Sequence, residues 1–125
     1  MTTARPTGHH TITPYLTVPD ADRLVDFLRA AFDGQPVKLD RSDDGRIRHA
    51  QVRIGDSILM LNEAGDHPAN NSQIHLYVDD VDETLRRAVA DGATVIMAPE
   101  QRPHGARMAG LDDPCGNTWW LATPV

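Results

Sequence analysis

Residues 16–22 read Leu-Thr-Val-Pro-Asp-Ala-Asp, and residues 76–82 read Leu-Tyr-Val-Asp-Asp-Val-Asp. Four positions of the two stretches match, and each stretch leads into an amphipathic segment that ends at Asp-Gly, at residues 33–34 and 91–92. A supersecondary unit that occurs twice in one chain usually cannot bury its apolar face alone. The repeat therefore predicts two similar halves that pack together and enclose a cleft.

The apolar patterns follow the same order in both halves. An alternating strand pattern comes first, an amphipathic helix pattern follows, and three further strand patterns complete each half. Asp20 and Asp80 stand where helix N-caps are expected, Asp80 and Glu83 have the spacing of a capping box, and Gly34 is expected to end the first helix. Pro14 lacks a ladder donor, so the first strand should be an edge strand or irregular there. Strands are predicted at residues 11–18, 37–40, 47–54 and 58–61, and at 73–78, 94–98, 106–111 and 117–123.

The chain of 125 residues has the size of one compact domain with a substantial core. Residues 1–10 lack periodicity and are interpreted as a flexible N-terminal arm. A first βαβββ unit is predicted over residues 11–63, a linker rich in turn-forming residues over 64–72, and a second βαβββ unit over 73–125.

Composition and charge argue against several classes of partner. The net charge of −6 repels polyanions, so neither nucleic acid nor an anionic membrane surface is expected as a partner. No apolar run approaches the roughly 18 residues that a membrane span needs, and the N-terminus lacks a secretory signal pattern. The single cysteine, Cys115, excludes an intrachain disulfide. We therefore expect a cytoplasmic protein.

Two kinds of motif resemble the vicinal oxygen chelate superfamily, which includes glyoxalase I, bleomycin-resistance proteins and extradiol dioxygenases. They are the Val-x-Asp-x-Asp entries to both helices, at residues 18–22 and 78–82, and the Asp-Pro-Cys-Gly-Asn turn at 113–117. The resemblance implies an α+β fold in which two βαβββ units form a curved mixed-sheet cup with the helices outside. It also implies a homodimer. Further short sequence segments resemble the PhnB-like branch of the superfamily, and they lie at residues 13–16, 46–50, 54–57, 76–82 and 113–120.

The resemblance also indicates where a metal would bind. Metal-dependent members of the superfamily place His or Glu on the first and last strands of each unit. Carried onto this sequence, the four positions are Thr13, either Leu59 or Met60, Gln73 and Trp120. Divalent metals in such sites take imidazole, thiolate or carboxylate ligands. We therefore expect no metal cofactor, with a divalent metal in a displaced site as the alternative.

Strand alternation predicts which side chains face the cup. Its wall would combine apolar and aromatic groups with a few polar ones, as small-molecule pockets do. Trp119 and Trp120 are adjacent, so one should pack against a helix while the other enters the cup and can stack on a flat ligand. The candidate ligand-binding residues are Thr13, Tyr15, His49, Gln51, Met60, Gln73, His75, Tyr77, Arg107 and Trp120.

Three functions are compatible with this cup. The first is metal-independent binding of a small molecule, including sequestration of a drug or metabolite as in bleomycin-resistance proteins. The second is a metal-dependent lyase, isomerase or dioxygenase in which His49 and His75 act as acid and base or as ligands; a third ligand has no placed candidate, since Glu63 and His104 fall in predicted loops. The third is a cup filled by its own side chains, with function through a protein partner.

Overall fold

The computed structural model of the chain describes residues 5–103 and 105–124. His104, which the sequence offered as a loop donor, lies outside the described residues, as does the start of the predicted N-terminal arm. Residues 5–10 contain no helix or strand. Arg5 donates a hydrogen bond from Nε to the carbonyl of His9 over 2.9 Å, which closes a local turn.

The described chain contains two helices and eight strands in the order βαβββ, twice over. The first module consists of β1 (Tyr15–Val18), α1 (Ala21–Phe32), β2 (Gln35–Arg41), β3 (Ile47–Ile54) and β4 (Ser57–Glu63). The second consists of β5 (Gln73–Tyr77), α2 (Val81–Ala90), β6 (Thr94–Gln101), β7 (Ala106–Asp112) and β8 (Thr118–Pro124).

Each module forms its own four-stranded mixed sheet. The strand orders are β1-β4-β3-β2 and β5-β8-β7-β6, and they match position for position. The first strand of each module pairs in parallel with the last, while the other neighbours are antiparallel. The predicted α+β fold with two βαβββ modules is confirmed.

Both helices begin where the repeat predicts, but the end of α1 differs from the prediction. Asp20 and Asp80 cap them, each accepting a hydrogen bond from a backbone N–H three residues on at 3.1 Å. Glu83 pairs with Arg86 and makes no bond back to Asp80, so only half of the capping box forms. The left-handed residue that ends α1 is Asp33, with φ of 55°, rather than the expected Gly34. Gly34 allows the backbone to lie close to Val52, because an added Cβ would be only 2.9 Å from a methyl group of that residue.

The first strand is shorter than the pattern predicts, because it begins at Tyr15 and not at residue 11. Pro14 has no N–H to donate, although its carbonyl still accepts from the Met60 N–H at 2.9 Å. The strands β2, β4, β6, β7 and β8 run between one and three residues beyond one or both predicted ends.

The two modules share one core through their helices. Helix α1 packs on α2, and Phe32 at the end of α1 contacts Trp119 on β8 with ring centroids 4.8 Å apart. Two ion pairs join the modules in reciprocal fashion, from Arg23 to Asp91 at 2.9 Å and from Arg87 to Asp33 at 2.7 Å. The helix-covered faces of the sheets therefore meet in the interior, and the opposite face of each sheet is left open on the outside.

Neither helix within residues 5–103 and 105–124 is long and apolar enough to span a lipid bilayer.

Candidate functional site

The open faces of the two sheets carry most of the candidate residues. On the first, Tyr15 lies opposite Met60, and Met60 lies opposite Gln51. On the second, the corresponding row is His75, Trp120 and Gly110. We call the first open face the side bearing Tyr15, Thr17, His49, Gln51, Met60 and Asn62, and the second open face the side bearing Gln73, His75, Tyr77, Met108, Gly110 and Trp120.

The pairing of β4 resolves which of two neighbours corresponds to the position of a family metal ligand. Leu59 is 5% exposed and belongs to the core beneath the first sheet. Met60 stands on the first open face between Tyr15 and Gln51. The residue at this position is therefore Met60, which matches Trp120 in the second module.

A polar chain crosses the first open face. The hydroxyl of Tyr15 lies 3.2 Å from Nδ1 of His49, and Nε2 of the same imidazole lies 3.1 Å from Nε2 of Gln51. Beside this chain, Thr17 donates from its hydroxyl to Oδ1 of Asn62 over 2.8 Å. His49 is thus held at both ring nitrogens by neighbours on its own sheet.

An aromatic surface crosses the second open face. Trp120 donates from its indole Nε1 to Oε1 of Gln73 over 3.0 Å. Its six-membered ring lies over Gly110, where an added Cβ would come within 2.5 Å of it. His75 and Tyr77 continue the surface along β5, with ring centroids 4.7 Å apart. Gly110 therefore leaves the space that the six-membered ring of Trp120 occupies against β7.

The two adjacent tryptophans take opposite roles. Trp119 is buried at 1% exposure, contacts Phe32 and donates from Nε1 to the carboxylate of Asp113 over 2.9 Å. That carboxylate also accepts from the backbone N–H groups of Cys115 and Asn117, so it organises the turn before β8. Trp119 is a core residue, while Trp120 lies on the second open face.

Burial raises the pKa of the Cys115 thiol, which disfavours a nucleophilic role.

Arg107 does not lie in the predicted cup, and this expectation is wrong. On β7 it shares the side of Ala109 and Leu111, which face the helix. Its guanidinium donates to both carboxylate oxygens of Asp82 on α2, at 2.7 and 2.9 Å. These bonds hold the pKa of Asp82 below its usual range. Arg107 thus ties β7 to α2.

The residues at the family's metal positions do not suit a divalent metal. Thr13 precedes β1 and makes no side-chain hydrogen bond among the described residues, Met60 offers a thioether, and Gln73 already accepts from Trp120. Over residues 5–103 and 105–124, no three His, Cys, Asp or Glu side chains come together in a metal-binding arrangement. His49 and His75 lie on different sheets, so they do not form a pair within the chain. The donor set does not fit the metal that the family implies.

A cavity also lies between the two modules. A cleft of about 400 Å³ opens between the modules and runs past the β3–β4 turn to the free edge of β5. Its walls are mainly apolar and include Ile54, Leu59, Ile74, Leu76 and Trp119. These side chains belong to the helix-facing sides of the sheets. The cleft is therefore mainly a gap between the modules, although His75 and Tyr77 of the second open face also line it.

Two features of the open faces were missed in the sequence. Gly110, which makes room for Trp120, could have been suspected because glycine inside a strand often marks a close approach. Finding which residue approaches it required the β7–β8 register. Asn62 was also missed, since its bond to Thr17 depends on the parallel pairing of β1 with β4.

Comparison with known proteins identifies the family. A model of the Glyoxalase/Bleomycin resistance protein/Dioxygenase superfamily matches residues 8–121. The chain belongs to this superfamily. An uncharacterized protein from Mycobacterium bovis is 35% identical, in an alignment that covers 91% of this chain and 83% of the relative.

Solved structures agree with this membership. TioX from a Micromonospora species superposes with a TM-score of 0.79 at 27% identity, covering 93% of this chain and 99% of that one. TnmS3, described as an antibiotic binding protein from a Streptomyces species, superposes with a TM-score of 0.74 at 25% identity, covering 99% and 100%. A PhnB protein from Bacillus cereus superposes with a TM-score of 0.66, covering 91% of this chain and 99% of that one; at 18% identity it supports the fold alone.

Proposed function

We propose that this protein binds a small planar organic molecule reversibly, without metal-dependent turnover. The observation that carries the proposal is Trp120, which lies on the second open face, packs against Gly110 and is fixed by its bond to Gln73. An aromatic ring that is already ordered loses little entropy when a flat ligand stacks on it, so more of the stacking energy contributes to affinity. The description of TnmS3 as an antibiotic binding protein supports a sequestering role.

The donor set supports binding over metal chemistry. A thioether, an amide and an indole occupy three of the four positions where the family's metalloenzymes place ligands, and Thr13 occupies the fourth. Chelation of substrate oxygens needs a cation held by three or four strong ligands. The same positions suit a ligand surface, because Met and Trp provide apolar contact area and Gln73 orients the indole.

We further propose that two chains build each cup. The two open faces lie on the outside of the helix-bearing core, so a cup that uses both needs a second chain. Large apolar side chains lie unusually exposed on or beside these faces, with Tyr77 at 71% and Ile12 at 84%. A homodimer that sets the first open face of one chain against the second open face of its partner would cover them.

An NMR titration tests the binding proposal. The indole N–H signals of Trp119 and Trp120 are assigned with Trp→Phe variants, and protein dialysed against EDTA is titrated with coumarin, naphthalene and quinoline. We expect the Trp120 signal to move and the Trp119 signal to stay. No movement at Trp120 with any of the three two-ring compounds would contradict the proposal.

Mixing two variants tests the shared cup. Tyr15→Ala damages the first open face and Trp120→Ala the second, and each variant alone should lose coumarin binding. After the chains are exchanged by mild denaturation and refolding, about a quarter of the cups in an equal mixture should regain both intact faces. Binding that stays absent after proven chain exchange would contradict a cup shared between chains.

A further inference from the structure

We infer that Tyr15, His49 and Gln51 form a directed hydrogen-bond chain that presents the Tyr15 hydroxyl proton to the ligand, and that the ligand therefore carries a carbonyl-type oxygen beside its planar ring. The inference rests on the proposed function and adds the chemical class of the ligand. It concerns the first open face alone.

The direction of the chain follows from counting protons at His49. An amide nitrogen can only donate, so Nε2 of Gln51 donates to Nε2 of His49 across 3.1 Å. A neutral imidazole carries a single N–H, which must then be on Nδ1. That N–H donates to the hydroxyl oxygen of Tyr15 at 3.2 Å. The hydroxyl oxygen of Tyr15 therefore accepts a hydrogen bond from the imidazole, and the hydroxyl proton of Tyr15 remains available to donate.

The freed proton has no acceptor within the described part of the chain. His49 is the one hydrogen-bond partner of the Tyr15 hydroxyl there, and Tyr15 is 45% exposed on the open face. The adjacent polar groups, Thr17 and Asn62, satisfy each other at 2.8 Å. Met60, between Tyr15 and Gln51, adds apolar surface. A ligand that rests on Met60 and offers an acceptor oxygen to Tyr15 would complete the arrangement.

The ion pair beside His49 and Gln51 adds no net charge, so a neutral acceptor suits this part of the face. Across β2, Asp40 lies opposite His49 and Lys38 lies opposite Gln51. Their charged ends are 3.8 Å apart and offset each other, and Arg53 follows two residues along β3 from Gln51. Neither Asp40 nor any other described carboxylate hydrogen-bonds the imidazole. The overall charge of −6 works against an anionic ligand. A ketone, lactone or amide carbonyl satisfies these conditions.

The tautomer of His49 can be measured without any ligand. Nitrogen-15 NMR of the imidazole, recorded at about pH 9, distinguishes a protonated from an unprotonated ring nitrogen. We expect the proton on Nδ1. A proton on Nε2 would overturn the inference, whatever the outcome of the binding experiments.

Reversing the direction of the hydrogen bonds among Gln51, His49 and Tyr15 tests their effect on ligand binding. In Gln51→Glu the carboxylate can only accept, so in a neutral imidazole the N–H moves to Nε2 and Nδ1 accepts a hydrogen bond from the Tyr15 hydroxyl. We expect coumarin, a planar lactone, to bind about three- to tenfold more weakly, and naphthalene, which has no acceptor, to bind as before. Tyr15→Phe should show the same selective loss. Gln101→Glu adds the same charge on β6 of the other module and should change neither.

The outcomes separate the inference from the function on which it rests. If Gln51→Glu and Tyr15→Phe leave coumarin affinity within about twofold of the unmodified protein, or weaken naphthalene equally, the inference fails while the binding function stands. If the unmodified protein binds neither compound, the proposed function fails, and the ligand class fails with it.

Discussion

The indole of Trp120 lies so close to Gly110 that a methyl group there would come within 2.5 Å of ring carbon Cζ3. The two residues face each other across the β7–β8 ladder, on the open side of the second sheet. Ring orientation is thus set by the absence of a side chain on the neighbouring strand. The bond from Nε1 to Gln73 fixes the remaining freedom.

Gly110→Ala should therefore lift the indole off the sheet. We expect the Trp120 indole N–H signal to lose the shift caused by its bond to Gln73, and coumarin to bind about tenfold more weakly, because stacking and its pre-organisation are both reduced. Gly65→Ala is the matched control, since its added methyl meets nothing closer than 3.7 Å. An unchanged Trp120 signal in Gly110→Ala would show that Gly110 does not position the ring.

The two tryptophans should separate stability from binding. Trp119→Phe removes a buried indole and leaves Asp113 without one of its three donors, so it should lower the free energy of unfolding by about 2 kcal/mol or more. Trp120→Phe, on the open face, should change that energy by about 0.5 kcal/mol or less while weakening coumarin binding. Urea denaturation and the NMR titration measure the two effects. Equal destabilisation by both variants would argue against the assigned roles.

Arg107 should be dispensable for binding. Its partner is Asp82 on α2, and both side chains are partly exposed to solvent. Arg107→Gln should leave coumarin affinity unchanged and lower the free energy of unfolding only slightly, as the loss of a surface ion pair does. Gln73→Leu is the contrasting variant and should weaken coumarin. A large loss of affinity in Arg107→Gln would place this side chain at the site after all.

The ion pair between Asp33 and Arg87 should make the free energy of unfolding depend on pH in the acidic range. Hydrogen bonding to Arg87 holds the pKa of Asp33 below its usual value. A carboxyl with a lowered pKa in the folded state stabilises the fold above its unfolded pKa of about 4, and this contribution is lost as pH falls through the folded value.

Asp33→Asn tests this dependence, because asparagine tolerates the left-handed backbone of the residue it replaces. At neutral pH the variant should be less stable by at most about 1 kcal/mol, since the pair is solvent-screened, and the difference should shrink as the pH falls and vanish once Asp33 is protonated in the folded state. Asp43→Asn, in the exposed β2–β3 turn, is the control and should show no such trend. A difference for Asp33→Asn that persists in acid would point to a backbone effect.

Local signals in the sequence predicted the fold well. The repeated Val-x-Asp-x-Asp stretch marks both helix starts, because Asp20 and Asp80 cap through contacts only three residues long. Strand alternation assigned Tyr15 and Trp120, with their neighbours, to the open sides of their respective sheets wherever apolar and polar residues alternate clearly.

The sequence did not predict the features that depend on long-range packing, or those in segments where apolar and polar residues do not alternate clearly. Residues 106–111, Ala-Arg-Met-Ala-Gly-Leu, give little contrast between faces, so the side taken by Arg107 was set by pairing with β8. The outward direction of the two open faces follows from the packing of α1 on α2. Contacts of this kind leave no periodic pattern in the sequence.

Native mass spectrometry of gently purified, untagged protein, with metal analysis of the same sample, tests the central claim most directly. We predict a dimer that carries an organic adduct, no stoichiometric divalent metal, and loss of the adduct in Trp120→Ala. A dimer that holds one divalent ion per cup, unchanged in Trp120→Ala, would contradict the account.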